Sequence, residues 1–155
     1  MDMDTIASSV EAIRPKLYRT ALCYLADPAA AADVLDEAVY RGLCASGKLR
    51  QPEYFDTWMT RILLNECHRE QKRRNRFRPL EELPEPAEGD LDHLPLQQAI
   101  QKLPKELKDI VILRYFSGFT LSETAEALQI PRGTVVTRQR RALKLLKLEL
   151  EEVEP

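Results

Sequence analysis

The side chains best equipped for chemistry in this chain are cationic, and they are grouped. Between Pro131 and Leu148 stand six basic residues, Arg132, Arg138, Arg140, Arg141, Lys144 and Lys147, and no acidic one. Arg132, Val136 and Arg140 recur every four residues and so share one helix face, flanked by Gly133, Thr137 and Arg141. Val135, Ala142 and Leu146, with Leu143 beside them, fall on the other side and are expected to pack inward. A rod of groove width with guanidinium donors and no carboxylate to repel phosphate suits the DNA major groove. A helical hairpin with a solvated basic face is the plainer reading of the same local pattern.

A second cationic stretch precedes it. Residues 66–78 carry six Lys or Arg against two Glu. Arg61, Asn65, His68 (or Arg69), Lys72 and Arg76 form a polar stripe along one long helix, with Arg73 next to it. Such stripes are usually only solvated, but sharing a chain with a groove-binding helix favours contact with nucleic acid. Asn65 differs in kind: neutral, with donor and acceptor, it can read the edge of an extruded base. The loop 46–54, with Lys48, Arg50 and Tyr54, is a candidate pocket for a flipped base, although Tyr54 suits a core equally well. Upstream, Asp33, Asp36, Glu37, Tyr40 and Arg41 make an acidic and aromatic outer face.

Other chemistries lack their residues. There are no paired catalytic carboxylates, no glycine-rich phosphate loop and no nucleophile with a base at recognisable spacing. Cys23, Cys44 and Cys67 form no CxxC pair, and His68 and His93 supply no ligand spacing with them. The three thiols are expected to be small buried hydrophobes, with no metal or cofactor. No apolar run approaches membrane-spanning length and the polar N-terminus is no signal peptide, so a cytoplasmic protein is expected.

These residues need helices to hold them. In 155 residues, 44% hydrophobic with only five glycines and 6% aromatics, helical cores are better served than sheets. Val10, Ile13, Leu17, Ala21 (or Leu22) and Leu25 predict a helix over 8–26. Asp27-Pro28 restarts the chain as cap and first helical position for a helix over 28–45, with Ala31, Val34, Ala38 and Leu43 inward. A third helix begins near Glu53, marked by Phe55, Trp58, Met59, Ile62, Leu63 and Cys67, with Trp58 and Ile62 as anchors behind the polar stripe. Residues 79–95 hold four prolines and six acidic residues without a Lys or Arg, which predicts an extended tether. The net charge of −2 therefore hides strong segregation, and a low pI does not argue against nucleic acid.

A second module starts at Leu96. Leu96, Ile100 and Leu103 lead into Pro104, and Leu107, Ile110, Val111 and Leu113 mark the next helix, which Gly118 can cap. Thr120 or Ser122 opens a short helix whose apolar stripe is Leu121, Ala125 and Leu128. Ile130 closes the corner and Pro131 suits the first turn of the basic helix. The fold class read from the sequence is all-α: two small helical domains on a flexible acidic, proline-rich linker, the C-terminal one a helix-turn-helix.

The order of these pieces resembles the extracytoplasmic-function (ECF) group of bacterial RNA polymerase sigma factors, from about Val10 to Leu148. Ala32-Asp-Val-Leu-Asp-Glu-Ala-Val-Tyr-Arg41 looks like that family's polymerase-binding helix. Residues 53–67 look like its promoter-melting helix, and 103–118 with 133–138 like its upstream-promoter reader. The departures are Asp36 where Gln is common, Gln129 at a corner often given to Gly, Thr124 for an aliphatic residue, and Val136 and Thr137 where a basic residue and Ser are frequent. The central domain of larger sigma factors is absent.

The resemblance implies a non-enzymatic alternative sigma factor whose partners are core RNA polymerase and promoter DNA, duplex and single-stranded, and it admits an anti-sigma factor. Residues 1–78 would bind the polymerase clamp through Asp33, Asp36, Glu37, Tyr40 and Arg41. They would recognise and melt the downstream element through Arg61, Asn65, His68, Arg69, Lys72 and Arg73. Residues 79–95 would be the linker. Residues 96–155 would read the upstream element through Arg132, Thr134, Val136, Thr137, Arg138, Arg140 and Arg141. A stand-alone helix-turn-helix transcriptional regulator is the other function compatible with the sequence.

Overall fold

The computed structural model describes residues 2–77 and 94–153, and among them there are helices and turns and no strand. They form two compact all-α units, one holding α1–α3 and the other α4–α7. The residues read as the acidic tether lie outside the described ones, apart from its last two.

In the first unit, α1 (Met3–Leu25), α2 (Pro28–Cys44) and α3 (Phe55–Phe77) each pack against the other two. α1 begins well before residue 8. The Asp2 carboxylate accepts from the Thr5 N–H at 2.7 Å, and Ile6 is fully buried one turn ahead of Val10. The polar start of the chain hid this turn, because a cap leaves no hydrophobic period. α1 ends on Ala26 in the left-handed region, and the Asp27 side chain then caps α2 through the Ala29 and Ala30 N–H groups.

α2 buries Ala31, Val34, Leu35, Ala38 and Gly42. A Cβ at Gly42 would lie 2.9 Å from Met59 Sδ, so a side chain here would press on α3. Two 3-10 turns, Ser46–Lys48 and Pro52–Tyr54, lead to α3. Its buried side is Phe55, Met59, Leu63, Leu64 and Cys67, while Trp58 and Ile62 are only half-buried. The anchor behind the polar stripe is thus not Trp58 and Ile62. Packing on two helices at once selects the positions between them, and Trp58 is left beside Phe55, ring centres 6.1 Å apart. The cysteines also differ from expectation: Cys67 is buried and Cys23 half-buried, its thiol pushed up to about 11 by desolvation, but Cys44 is exposed in the last turn of α2.

The second unit opens with α4 (Leu94–Lys102), whose Pro95 sits in the first turn, where a missing N–H costs nothing. The Pro104 carbonyl accepts from Leu107 and Lys108 to start α5 (Lys105–Val111). α5 runs into a single wide π turn, Ile112–Phe116. Gly118, at φ 72°, then reverses the chain, and the buried Phe119 donates its N–H back to the Leu113 carbonyl. Thr120, not Ser122, caps α6 (Leu121–Leu128) in a reciprocal box with Glu123.

Against the expected stripe of Leu121, Ala125 and Leu128, the fully packed positions of α6 are Thr124 and Ala127. Thr124 tolerates burial because its hydroxyl donates to the Thr120 carbonyl at 2.8 Å. Gln129 turns the corner in the left-handed region, φ 56° and ψ 48°, as its glycine-like position implied. Gln129→Gly is therefore expected to stabilise this unit by about 0.5–1 kcal/mol, read from its urea midpoint. α7 (Arg132–Val153) packs through Val135, Ala142 and Leu146, but Leu143 is 43% exposed, one step off the seam.

Candidate nucleic-acid and polymerase interfaces

On α3 the residues opposite the core are Arg61, Asn65, Lys72 and Arg76, all exposed and sharing one helix face. This is the free part of the predicted stripe. His68 lies to one side, half-buried, its ring edge-on to Tyr24 at 5.6 Å. Arg69 and Arg73 lie to the other side, over a groove between α2 and α3, and both are engaged. Arg69 is 3.3 Å from Glu66, and Arg73 makes a two-pronged contact with Glu70 at 2.8 and 3.0 Å. The Arg73 hydrogen bonds hold the Glu70 carboxyl below the usual carboxylate range.

The neighbouring Arg74 is no strand-binding candidate. Its side chain is 14% exposed, donating to the Leu25 carbonyl at 2.9 Å and to Asp27 at 3.0 Å, with Glu70 at 3.4 Å. Gln71 donates likewise to the Tyr24 carbonyl at 2.9 Å. α3 thereby caps the C-terminal carbonyls of α1, which have no partner within their own helix.

On α2, Asp33, Asp36, Glu37, Tyr40 and Arg41 are all exposed, as their spacing predicts, and Tyr40 is 63% exposed. The groove between this face and α3 is lined by Asp33, Glu37, Glu66, Arg69, Glu70 and Arg73, among others. Glu66 was not recognised in the sequence, and its side chain is only 7% exposed. It lies 2.8 Å from the Arg41 Nε, whose N–H donates to Glu37, and 3.3 Å from Arg69. The signal was there: position 66 lies one turn from both Leu63 and Glu70 and beside Cys67, which sets a carboxylate against the buried side. Tyr54, at the end of the second 3-10 turn, is 47% exposed and so is not core.

In the second unit α7 presents Arg132, Gly133, Thr137, Arg140 and Arg141 to solvent, with Thr134, Val136 and Arg138 half-buried beside them. The Thr137 hydroxyl donates to the Gly133 carbonyl at 3.1 Å. It therefore offers a methyl group and lone pairs outward, a surface suited to a thymine methyl. Arg114 ties the corner to this helix, donating to the Phe119 carbonyl at 2.6 Å and to Gln139 at 2.9 Å. Nothing in the sequence marked that clasp, which spans 25 residues. Among the described residues no three His, Cys, Asp or Glu side chains converge as a metal site requires.

Two families of known sequence match these two units: sigma-70 region 2 over residues 10–77 and sigma-70 region 4 over residues 93–146. The chain belongs to the ECF group of the sigma-70 family. The RNA polymerase sigma factor SigV of Bacillus subtilis is 30% identical over 86% of this chain and 83% of its own length. The ECF RNA polymerase sigma factor SigW of the same organism is 29% identical over 98% and 92%. The fold is that of Bartonella quintana RpoE, solved with the anti-sigma factor NepR (TM-score 0.78, 21% identity, 96% and 98% covered). CnrH, solved with the cytosolic domain of CnrY, is similar at TM-score 0.78 and 19% identity over 99% and 92%.

As an alternative sigma factor the protein directs core RNA polymerase to specific promoters and initiates transcription there. Core polymerase and promoter DNA are its partners, and the stand-alone regulator is not favoured. No helix among the described residues of this sigma factor is long and apolar enough to cross a membrane.

Proposed function

We propose that the sigma factor divides its work between its units as follows. Residues 1–78 bind the polymerase clamp and recognise and melt the downstream element, 79–95 tether, and 96–155 bind the upstream element as duplex. The observation that carries the reading is the separation of faces on α3 and α7. Each buries an apolar side and exposes cations on the opposite one. On α3, Arg61, Lys72 and Arg76 track the non-template strand by charge, and Asn65 holds an extruded base in place of its lost stacking. Exposed Tyr54 adds a face on which such a base can stack. On α7, Arg132, Val136, Thr137, Arg140 and Arg141 face the groove, with Thr134 and Arg138 nearer the phosphates.

The protein supplies recognition and opening in the cytoplasm, while bond formation belongs to core polymerase. An anti-sigma factor is a further expected partner, by analogy with the complexes of RpoE and CnrH. Run-off transcription tests the reading: core polymerase with this chain starts at promoters that core alone ignores. Initiation no different from core alone overturns it.

Two variants test the assignment within the first unit. Asp36→Ala with Tyr40→Ala is expected to reduce co-purification with core polymerase severalfold while leaving thermal unfolding nearly unchanged, since both side chains are exposed. A large fall in melting temperature would instead make them structural. Asn65→Ala is expected to spare closed-complex formation and to abolish permanganate reactivity of unpaired thymines. A pre-opened bubble template is expected to relieve that defect; a defect equally severe on the bubble would remove the melting role from Asn65.

A further inference from the structure

Two arginines that the family resemblance assigns to different partners lie against one oxygen atom. Arg41, on the polymerase face of α2, places Nε 2.8 Å from Glu66 Oε1. Arg69, on α3 beside the row of Arg61, Asn65, Lys72 and Arg76, places Nη1 3.3 Å from the same atom. The Glu66 side chain is 7% exposed, whereas those of Arg41 and Arg69 are 46% and 60% exposed. The carboxylate is thus nearly buried at the floor of the groove, while the two arginines against it are about half exposed. Arg41 has a second carboxylate in reach, Glu37 at 3.0 Å, which keeps it over α2.

A buried carboxylate stripped of all counter-charge is strongly disfavoured, so Glu66 can release one arginine only while the other remains. Arg69 is the one positioned to leave: it is the more exposed, its contact is the longer, and it borders the row of Arg61, Asn65, Lys72 and Arg76. We propose that Glu66 is a positioning residue for strand capture, holding Arg69 in reserve and releasing it to a phosphate of the opened strand because Arg41 stays behind to neutralise it. Arg41 then supports DNA binding without touching DNA. The inference rests on the reading that the outer side of α3 meets the opened strand.

The consequence is a rescue that a merely structural ion pair does not produce. The probe is a fluorescent bubble DNA carrying a promoter at which the holoenzyme initiates, bound by holoenzyme assembled at saturating core polymerase. Among the described residues Arg41→Ala leaves Arg69 as the one cation in ion-pair reach of Glu66, so affinity for the bubble is expected to fall about two- to fivefold. The salt dependence is expected to flatten by about 0.7 in slope, one single-strand phosphate contact. Adding Glu66→Gln, which keeps the shape and removes the charge, is expected to restore both. Glu66→Gln alone is expected to bind the bubble more tightly than wild type, and this gain is expected to vanish with Arg69→Ala.

If Glu66→Gln deepens the Arg41→Ala defect, or changes affinity equally with and without Arg69, Glu66 only packs α2 on α3 and the proposal falls. Should Arg69→Ala bind the bubble like wild type in both backgrounds, the underlying assignment of Arg69 to DNA fails instead. Urea unfolding of each variant, followed by Trp58 fluorescence, separates loss of fold from loss of contact.

Discussion

Arg140→Ala and Arg132→Ala are expected to weaken binding of the holoenzyme to the upstream promoter element. The loss should be about 1–3 kcal/mol for whichever arginine makes a two-pronged contact with guanine, a tenfold effect or more. Both are exposed on α7 in register with Val136, and neither carries an ion pair among those the structure shows. Their substitution therefore removes contact with DNA and leaves the fold intact. The variant that reads a base loses discrimination at one position of the element, whereas one that holds a phosphate loses affinity for every sequence alike. Measured as affinity against a set of single-base variants of the element, unchanged values for both arginines would overturn the groove-face assignment.

The second large effect concerns a residue of the same chemical type with a different task. Arg74→Ala is expected to destabilise the first unit by about 2–3 kcal/mol. It strips a hydrogen bond from the Leu25 carbonyl, unpairs Asp27 and weakens the hold on Glu70, at a site where the guanidinium is almost enclosed. Arg74→Lys keeps the charge but not the planar fork, and is expected to recover only part of the loss. By contrast, Lys72→Glu and Arg76→Glu, two exposed neighbours, should leave stability within about 0.5 kcal/mol and reduce DNA affinity for all promoters alike. Trp58, the only tryptophan in the chain, lies on α3, so a urea titration by its fluorescence reports this unit alone. An Arg74→Ala midpoint equal to wild type would show the clasp to be dispensable.

These paired outcomes mark how far the sequence could be read. Helix order and most boundaries followed from local rules, because caps act within a turn: Asp27 before Pro28, Gly118 after Phe116 and Thr120 before α6 each satisfy orphan groups of their own segment. The outward faces of α2 and α7 were legible for the same reason. A period of 3.6 residues fixes which side chains share a face, and the cations of α7 had one side free of apolar residues to occupy.

What periodicity does not fix is the direction from which neighbours arrive. α3 lies against both α1 and α2, so its core is a wedge centred on Met59, Leu63 and Cys67, and Trp58 and Ile62 fall at its edge. α6 packs against both α7 and the Ile112–Phe116 turn, and its buried positions are Thr124 and Ala127, with a hydroxyl buried where an aliphatic stripe looked simpler. The family, the two-unit plan and the cationic faces were determined by the sequence itself, through caps, period and charge segregation. The tertiary structure alone divided the basic residues of α3 into those exposed without a carboxylate shown beside them, Arg61, Lys72 and Arg76, those exposed but paired over a groove, Arg69 and Arg73, and the enclosed Arg74. Charge is a property of the residue, but its availability depends on which carboxylates and carbonyls the fold brings within about 3 Å, and those partners come from elements far away in the chain.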